Sequence, residues 1–468
     1  MLANGLIIDV AKLDIVRTGS LFLKFFPEDA KVKLNGRTVK ANFGILSGGA
    51  LIKNLRPGIY EIEIAKENTG IWKKTLAVES GRVTPATRII LWPENFTADI
   101  LDDPSSTPTT VGDYGAGKNV ESFYVADDAV VTKKNNLLFF DGDVIKGNDV
   151  MSAYSRSKSI ITEDALNNYY LINLDAPKTP VNPPTFPRDI EPHEKDPGTH
   201  SVPVAKPQGI PEGGGINITN LFNSLKQTKL KLPGTVPIKN ISFHPFSDNK
   251  IILMTENSVY VLDVSKIDLE RVMGLPQMKA FAVSQGEVFA INASGTIESF
   301  DLTLRRKNTA PFSIQGVASM SASKNGRFLA LVKTDGELFV LDREKDSLTL
   351  LDKNSPKNWF SPEGKRIAYT NERDELFVYH MEDFDLDERY EEGTLLAAGE
   401  NVGNFEWLPE FPNYAIISSG RNLFISEVYG RGSTINKYEI SKDTVEYFYS
   451  KKELYLLSED GVLAKVSL

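Results

Sequence analysis

The chain has 468 residues, more than one ordinary core accommodates, so two or more domains are expected. Hydrophobic residues make up 41% and charged residues 25%, an ordinary globular balance, and a formal net charge of −9 argues against nucleic acid, whose binders carry a basic face or stripe. With no cysteine and four histidines (His193, His200, His244 and His380), disulfides, cysteine-ligated zinc and thiol nucleophiles are excluded, and triads or imidazole metal sites are thinly supplied.

No run of 18 or more apolar residues is present to span a membrane, and the opening "MLANGLIIDVAKLDIVRTGSLFL" lacks the parts of a signal peptide. In residues 1–97 apolar positions alternate: Leu21 and Leu23, Val32 and Leu34, Ile62 and Ile64, Leu76 and Val78, Ile89 and Leu91. Turn residues separate them, among them Pro27, Asn35-Gly36, Pro57-Gly58 and Gly81. Short alternating strands between such turns predict a small β-sandwich. Residues 98–118, "DDPSSTPTT" and its flanks, read as a polar linker.

From residue 119 to 468 the chain repeats. "NSVYVLDV", "GTIESFDL", "GELFVLDR", "DELFVYHM", "RNLFISEV" and "GVLAKVSL" each follow a more apolar strand, and recur about every 40 residues. Two earlier units, 122–143 and 151–175, fit the template. The pattern predicts a β-propeller of seven or eight blades, the lower count if one early unit is a partial blade that completes the last one. Such closure by both chain ends removes an exposed sheet edge. Residues 176–215 hold ten of the 25 prolines and are expected to be a disordered insertion. After them, Ile218, Leu221, Phe222 and Leu225 stand at helical spacing, so 217–231 is expected to be one short helix capped by Asn217 or Thr219. The predicted class is all-β.

The opening region resembles the PEGA domain family. Its name motif stands here as Pro27-Glu28-Asp29-Ala30, with Asp in the third place, followed by Val32, Leu34 and Asn35-Gly36. The second hallmark is Leu55-Arg56-Pro57-Gly58-Ile59-Tyr60, and Trp72-Lys73 follows. Residues 240–468 resemble Tol-type and WD-like propellers in stretches such as "FSPEGKRIAYTN". The pairing looks like surface proteins of candidate-phyla bacteria. That resemblance implies an extracytoplasmic, envelope-anchored protein, a membrane helix ahead of the present segment, and no catalytic residues.

Nothing in the sequence assigns a catalytic residue or a cofactor. A serine hydrolase would need a G-x-S-x-G elbow, and "GAGKN" at 115–119 lacks the rest of a phosphate loop. His244 and His380 read as packing residues. Trp359 and Trp407 open repeats and read as inter-sheet packing, with a channel-mouth role as the functional alternative. Asp383, Asp385 and Asp387 are the calcium candidate, opposed by Glu388 and Thr394 where an EF-hand loop needs Gly and Glu.

In the sandwich, Lys31, Lys33, Arg37, Lys73 and Lys74 are the candidate surface contact, for an acidic wall polymer or headgroups. The expected function is a non-catalytic platform for a protein or cell-wall glycan partner. The rival expectations are a propeller enzyme with a metal in its channel, and an intracellular scaffold.

Overall fold

The computed structural model describes residues 6–9, 14–39, 42–44, 49–101, 120–126, 129–134, 137–140, 143–153, 158–174, 215–355, 357–385, 389–390, 393, 395–399, 401–428 and 435–468. The chain divides into two compact units, Met1–Leu101 with Met273–Leu468, and Asp102–Val272. Most of the Pro-rich stretch 176–215 lies outside the described residues, as does Asp387 of the calcium candidate.

The first 101 residues supply β1 (Leu6–Asp9), β2 (Asp14–Arg17), β3 (Gly19–Phe26), β4 (Lys31–Leu34), β5 (Arg37–Thr38), β6 (Asn42–Gly44), β7 (Gly49–Leu55), β8 (Gly58–Ala65), β9 (Trp72–Val78), β10 (Val83–Ile90) and β11 (Ala98–Ile100). Two four-stranded sheets form, in the orders β10-β3-β7-β6 and β5-β4-β8-β9. The alternation read from the sequence has a physical outcome. Leu21, Leu23, Val32, Leu34, Ile62, Ile64, Leu76 and Val78 all enter one core shared by both sheets.

The motif residues make the turns. Asn35 and Gly36 have φ of 46° and 76°, the left-handed pair that a two-residue hairpin requires, and they join β4 to β5. The Tyr60 hydroxyl donates to the Arg56 carbonyl at 2.9 Å and so closes the Pro57-Gly58 turn.

Apart from a two-stranded pair, Phe384–Asp385 with Arg389–Tyr390, the remaining strands build four-stranded antiparallel meanders, eight of them among the described residues. We number them M1 to M8 in chain order. M1 to M3 span 122–145, 149–217 and 240–274. M4 to M7 span 278–313, 317–352, 357–399 and 404–441, and M8 comprises 444–467 with β11. The repeats recognised in the sequence are the third strands of their sheets, such as Leu338–Asp342, and the more apolar runs before them are the second strands. Those second strands are buried along most of their length, as in Phe328–Leu331 and Tyr414–Ile417. Covered on both faces, they lose the polar-apolar alternation of the sandwich.

Two details differ from expectation. Ala98–Ile100, inside the stretch read as linker, is strand β11, antiparallel to Leu463–Ser467 and the fourth strand of M8. The last sheet is thus completed by these three residues rather than by an early repeat. Helix α1 (Ile218–Thr228) is shorter than 217–231. Asn217 caps it, its side chain accepting from Asn220 N at 2.8 Å, while the Thr219 hydroxyl accepts from Tyr169 N. Ile218, Phe222 and Leu225 face a core with Ile241, Phe243 and Tyr260.

M6 and M7 are stitched by one buried cation. Arg366 is 1% exposed. Its Nε meets Glu363 at 2.6 Å, its Nη1 donates to the Pro412 carbonyl at 3.0 Å, and its guanidinium lies over the Trp407 ring. His380 sits opposite Arg366 in the strand register. Burial, and secondly the Arg366 cation, hold His380 down from 6.5 to about 4, against a smaller opposing pull from Glu363. An unfolded His380 takes up its proton near pH 6.5, whereas the folded one resists until near pH 4. Its contribution to stability is complete above the upper value and is lost as pH falls between the two. The melting temperature should therefore drop from pH 7 to pH 5, and His380→Gln should flatten that drop; an unchanged slope would refute the assignment.

Candidate functional site

Strand β9 places Trp72, Lys74, Leu76 and Val78 inward, with Lys73 outward, as a period of two demands. Lys74 is therefore not a surface contact: it is 1% exposed, and this corrects the sequence expectation. Its ammonium reaches Glu427, at the end of the M7 strand Asn422–Glu427, at 2.9 Å. Glu427 is itself buried, and Trp72 Nε1 donates to its Oε1 at 2.6 Å. Asn436 donates to Oε2 from its backbone at 3.1 Å and its side chain at 2.8 Å.

The same Asn436 turns its Oδ1 to the backbone N–H of Lys73 at 2.9 Å. Burial, and secondly Glu427, push the neighbouring Tyr438 phenol up, so it stays protonated. Its ring fills the space over Gly70, where a Cβ would come within 2.5 Å. Beside this joint, Ile90 and Trp92 pack with Tyr414, Tyr438, Leu454 and Val466. The Tyr414 hydroxyl receives the Ile90 N–H at 3.0 Å.

The other candidate contacts lie on the outer face of the second sheet. Lys31 and Arg37 are exposed. Lys33 meets Glu63 at 2.6 Å and Lys73 meets Glu61 at 2.8 Å, across neighbouring strands. Cross-strand glutamates thus neutralise half of the exposed cations that the sequence had grouped there.

A second feature spans the first strands of M5, M6 and M7. Ser319, Ser321, Lys357, Asn358, Trp359 and Asn404 line a recess of about 350 Å³. The Ser321 hydroxyl donates to Asn358 Oδ1 at 2.9 Å, and Asn404 Oδ1 accepts from Phe405 N at 3.0 Å. Lys357 donates to the Gly403 carbonyl. Trp359 is half-buried against Phe405, ring centres 5.4 Å apart. Of the two tryptophans singled out in the sequence, Trp359 lines this recess and Trp407 is buried, its Nε1 donating to the Trp359 carbonyl at 3.1 Å.

His244 is buried in M3, its Nδ1 accepting from Phe246 N at 3.2 Å; burial and then Lys250 lower its affinity for a proton. Among the described residues no group of three or more His, Asp or Glu is placed to hold a metal ion, and no helix is long and apolar enough to cross a membrane. Neither the joint nor the recess carries a sequence motif. The signal available for the joint was the strict alternation of β9, which turns Lys74 inward.

No protein-family model matches the chain, and no curated protein matches it. Among solved structures, the chain is similar to one described as PorZ, an essential bacterial surface component of the type-IX secretion system of Porphyromonas gingivalis. The two are 13% identical with a TM-score of 0.37, over 73% of this chain and 42% of that one. It is also similar to the computationally designed Ika8 protein, at 9% identity and a TM-score of 0.43, over 76% of this chain and 98% of that one. The chain thus spans less than half of the PorZ chain.

Lys74→Met should cost about 3–5 kcal/mol in urea unfolding, because it strands a buried carboxylate. Adding Glu427→Gln should recover a large part of that loss, and Lys73→Met should leave the midpoint unmoved. Independent, additive effects of the first two substitutions would contradict a shared buried pair.

Proposed function

We propose that this chain is a non-catalytic, extracytoplasmic cell-envelope protein. In this reading the meander sheets are blades of a β-propeller that presents a platform to a macromolecular partner. The N-terminal module is a PEGA-like mount, a membrane-proximal spacer or wall contact. The observation that carries the reading is the joint around Glu427. The Trp72 indole, the Lys74 ammonium and the backbone N–H of Lys73 all reach M7. A buried, hydrogen-bonded joint fixes orientation, which is what a mount requires and a tethered domain lacks.

The PEGA resemblance is supported by chemistry at its own positions, since Asn35-Gly36 and the Arg56–Tyr60 bond form the turns those residue types suit. The platform reading is supported by the recess across M5, M6 and M7, where side chains from three rigid sheets converge on one space.

The test is capture. The intact chain, immobilised, is offered solubilised envelope and cytosolic fractions in parallel, with a Lys357→Glu form as the control. A component enriched from the envelope fraction alone and lost with the charge reversal is the expected result. Equal retention from both fractions, or retention indifferent to residue 357, would overturn the platform reading.

A further inference from the structure

We propose that the recess across M5, M6 and M7 binds a hexuronic acid unit, with its carboxylate at Lys357 and its ring face against Trp359. This deepens the platform reading and rests on it for the setting of the ligand.

The chemistry of the recess is one-sided. No carboxylate lines it. Lys357 meets only the Gly403 carbonyl and, among the described residues, no acid. Other strand lysines, such as Lys307 and Lys465, are paired with Glu298 and Glu453. A cation held at a rim without a counter-charge is a site for an anion.

The amides are arranged to the same end. The oxygen of Asn358 is occupied by the Ser321 hydroxyl, and the oxygen of Asn404 by Phe405 N. Each amide therefore offers its NH₂ group, adding donors that suit hydroxyl and carboxylate oxygens. The sugar assignment comes from Trp359. Its ring is backed by Phe405, and its strand is held by the bond from Trp407 Nε1, so it forms a fixed apolar wall beside the donors. A bare inorganic anion has no use for such a wall, whereas a pyranose presents one apolar face and an edge of oxygens. A space of about 350 Å³ is within the range of small-ligand sites.

The experiment is a ligand-observed NMR titration of the intact chain with methyl β-glucuronide, methyl β-glucoside, acetate, and a short peptide bearing a free C-terminal carboxylate. The glucuronide should bind at least about tenfold tighter than the glucoside, the worth of one charge-assisted hydrogen bond. It should also bind tighter than acetate, which lacks the ring. Lys357→Met should bring glucuronide to the level of the glucoside, and Asn358→Ala should weaken both sugars. Lys357 is exposed, so its variant should melt with the parent; Lys357→Gln serves as the second form.

Absence of glucuronide binding, equal affinity for the glucoside, or indifference to Lys357→Met and Lys357→Gln would overturn the proposal. So would tighter, Lys357-dependent binding of the peptide. Envelope capture that persists while glucuronide fails to bind would remove the ligand assignment alone, leaving the platform reading in place.

Discussion

Glu427 ends a strand with almost no access to water, and its donors come from two distant parts of the chain. Trp72 and Lys74 approach from the N-terminal module, and Asn436 from the position just ahead of the next strand of M7. A carboxylate in such a place is tolerated only when its charge is matched and its lone pairs are filled. That requirement fixes several neighbours together. Lys74 must point inward, Trp72 must turn its indole N–H toward M7, and Gly70 must lack a side chain so that Tyr438 fits. The joint gains orientation more than net stability, since an apolar joint of similar shape would hold as well. What the ionic version adds is a single register between module and sheet.

Around that joint the chain uses two kinds of β-structure with different burial. The sandwich has one wet face per sheet, so its strands alternate and its lysines and glutamates pair across the outside. The meanders bury their second strands on both faces, so those strands read as apolar runs and their polar groups gather at turns and first strands. The recess lies on such first strands, where a side chain is held by a rigid sheet yet reaches solvent.

This difference also explains what the sequence made legible. The meander period was readable because each apolar second strand is followed by a turn and a third strand. The sandwich was readable from alternation and from Asn35-Gly36. Strand β11 was not, because three exposed residues are too few to carry a period, and their pairing partner is near residue 465. Lys74 was misplaced because lysine is almost never fully buried without a partner, and its partner, Glu427, is remote in sequence. The recess was half visible: Trp359 drew notice as an aromatic opening a repeat, while Lys357, Asn358 and Asn404 acquire meaning only when three sheets bring them together. Helix α1 followed its pattern, and the cap fell on Asn217 because Thr219 is engaged with Tyr169.

The separation across the joint sets an order of events during synthesis. Trp72 and Glu427 are 355 residues apart. At about 5–20 residues per second, the module leaves the ribosome roughly 20–70 s before its carboxylate exists. During that interval Lys74 and the Trp72 indole face water, and β11 has no strand to join. The newborn module thus carries an inner-face cation and an idle strand until the Glu427 segment follows. Asn436 and the strand Leu463–Ser467, which receives β11, complete a module made several hundred residues earlier.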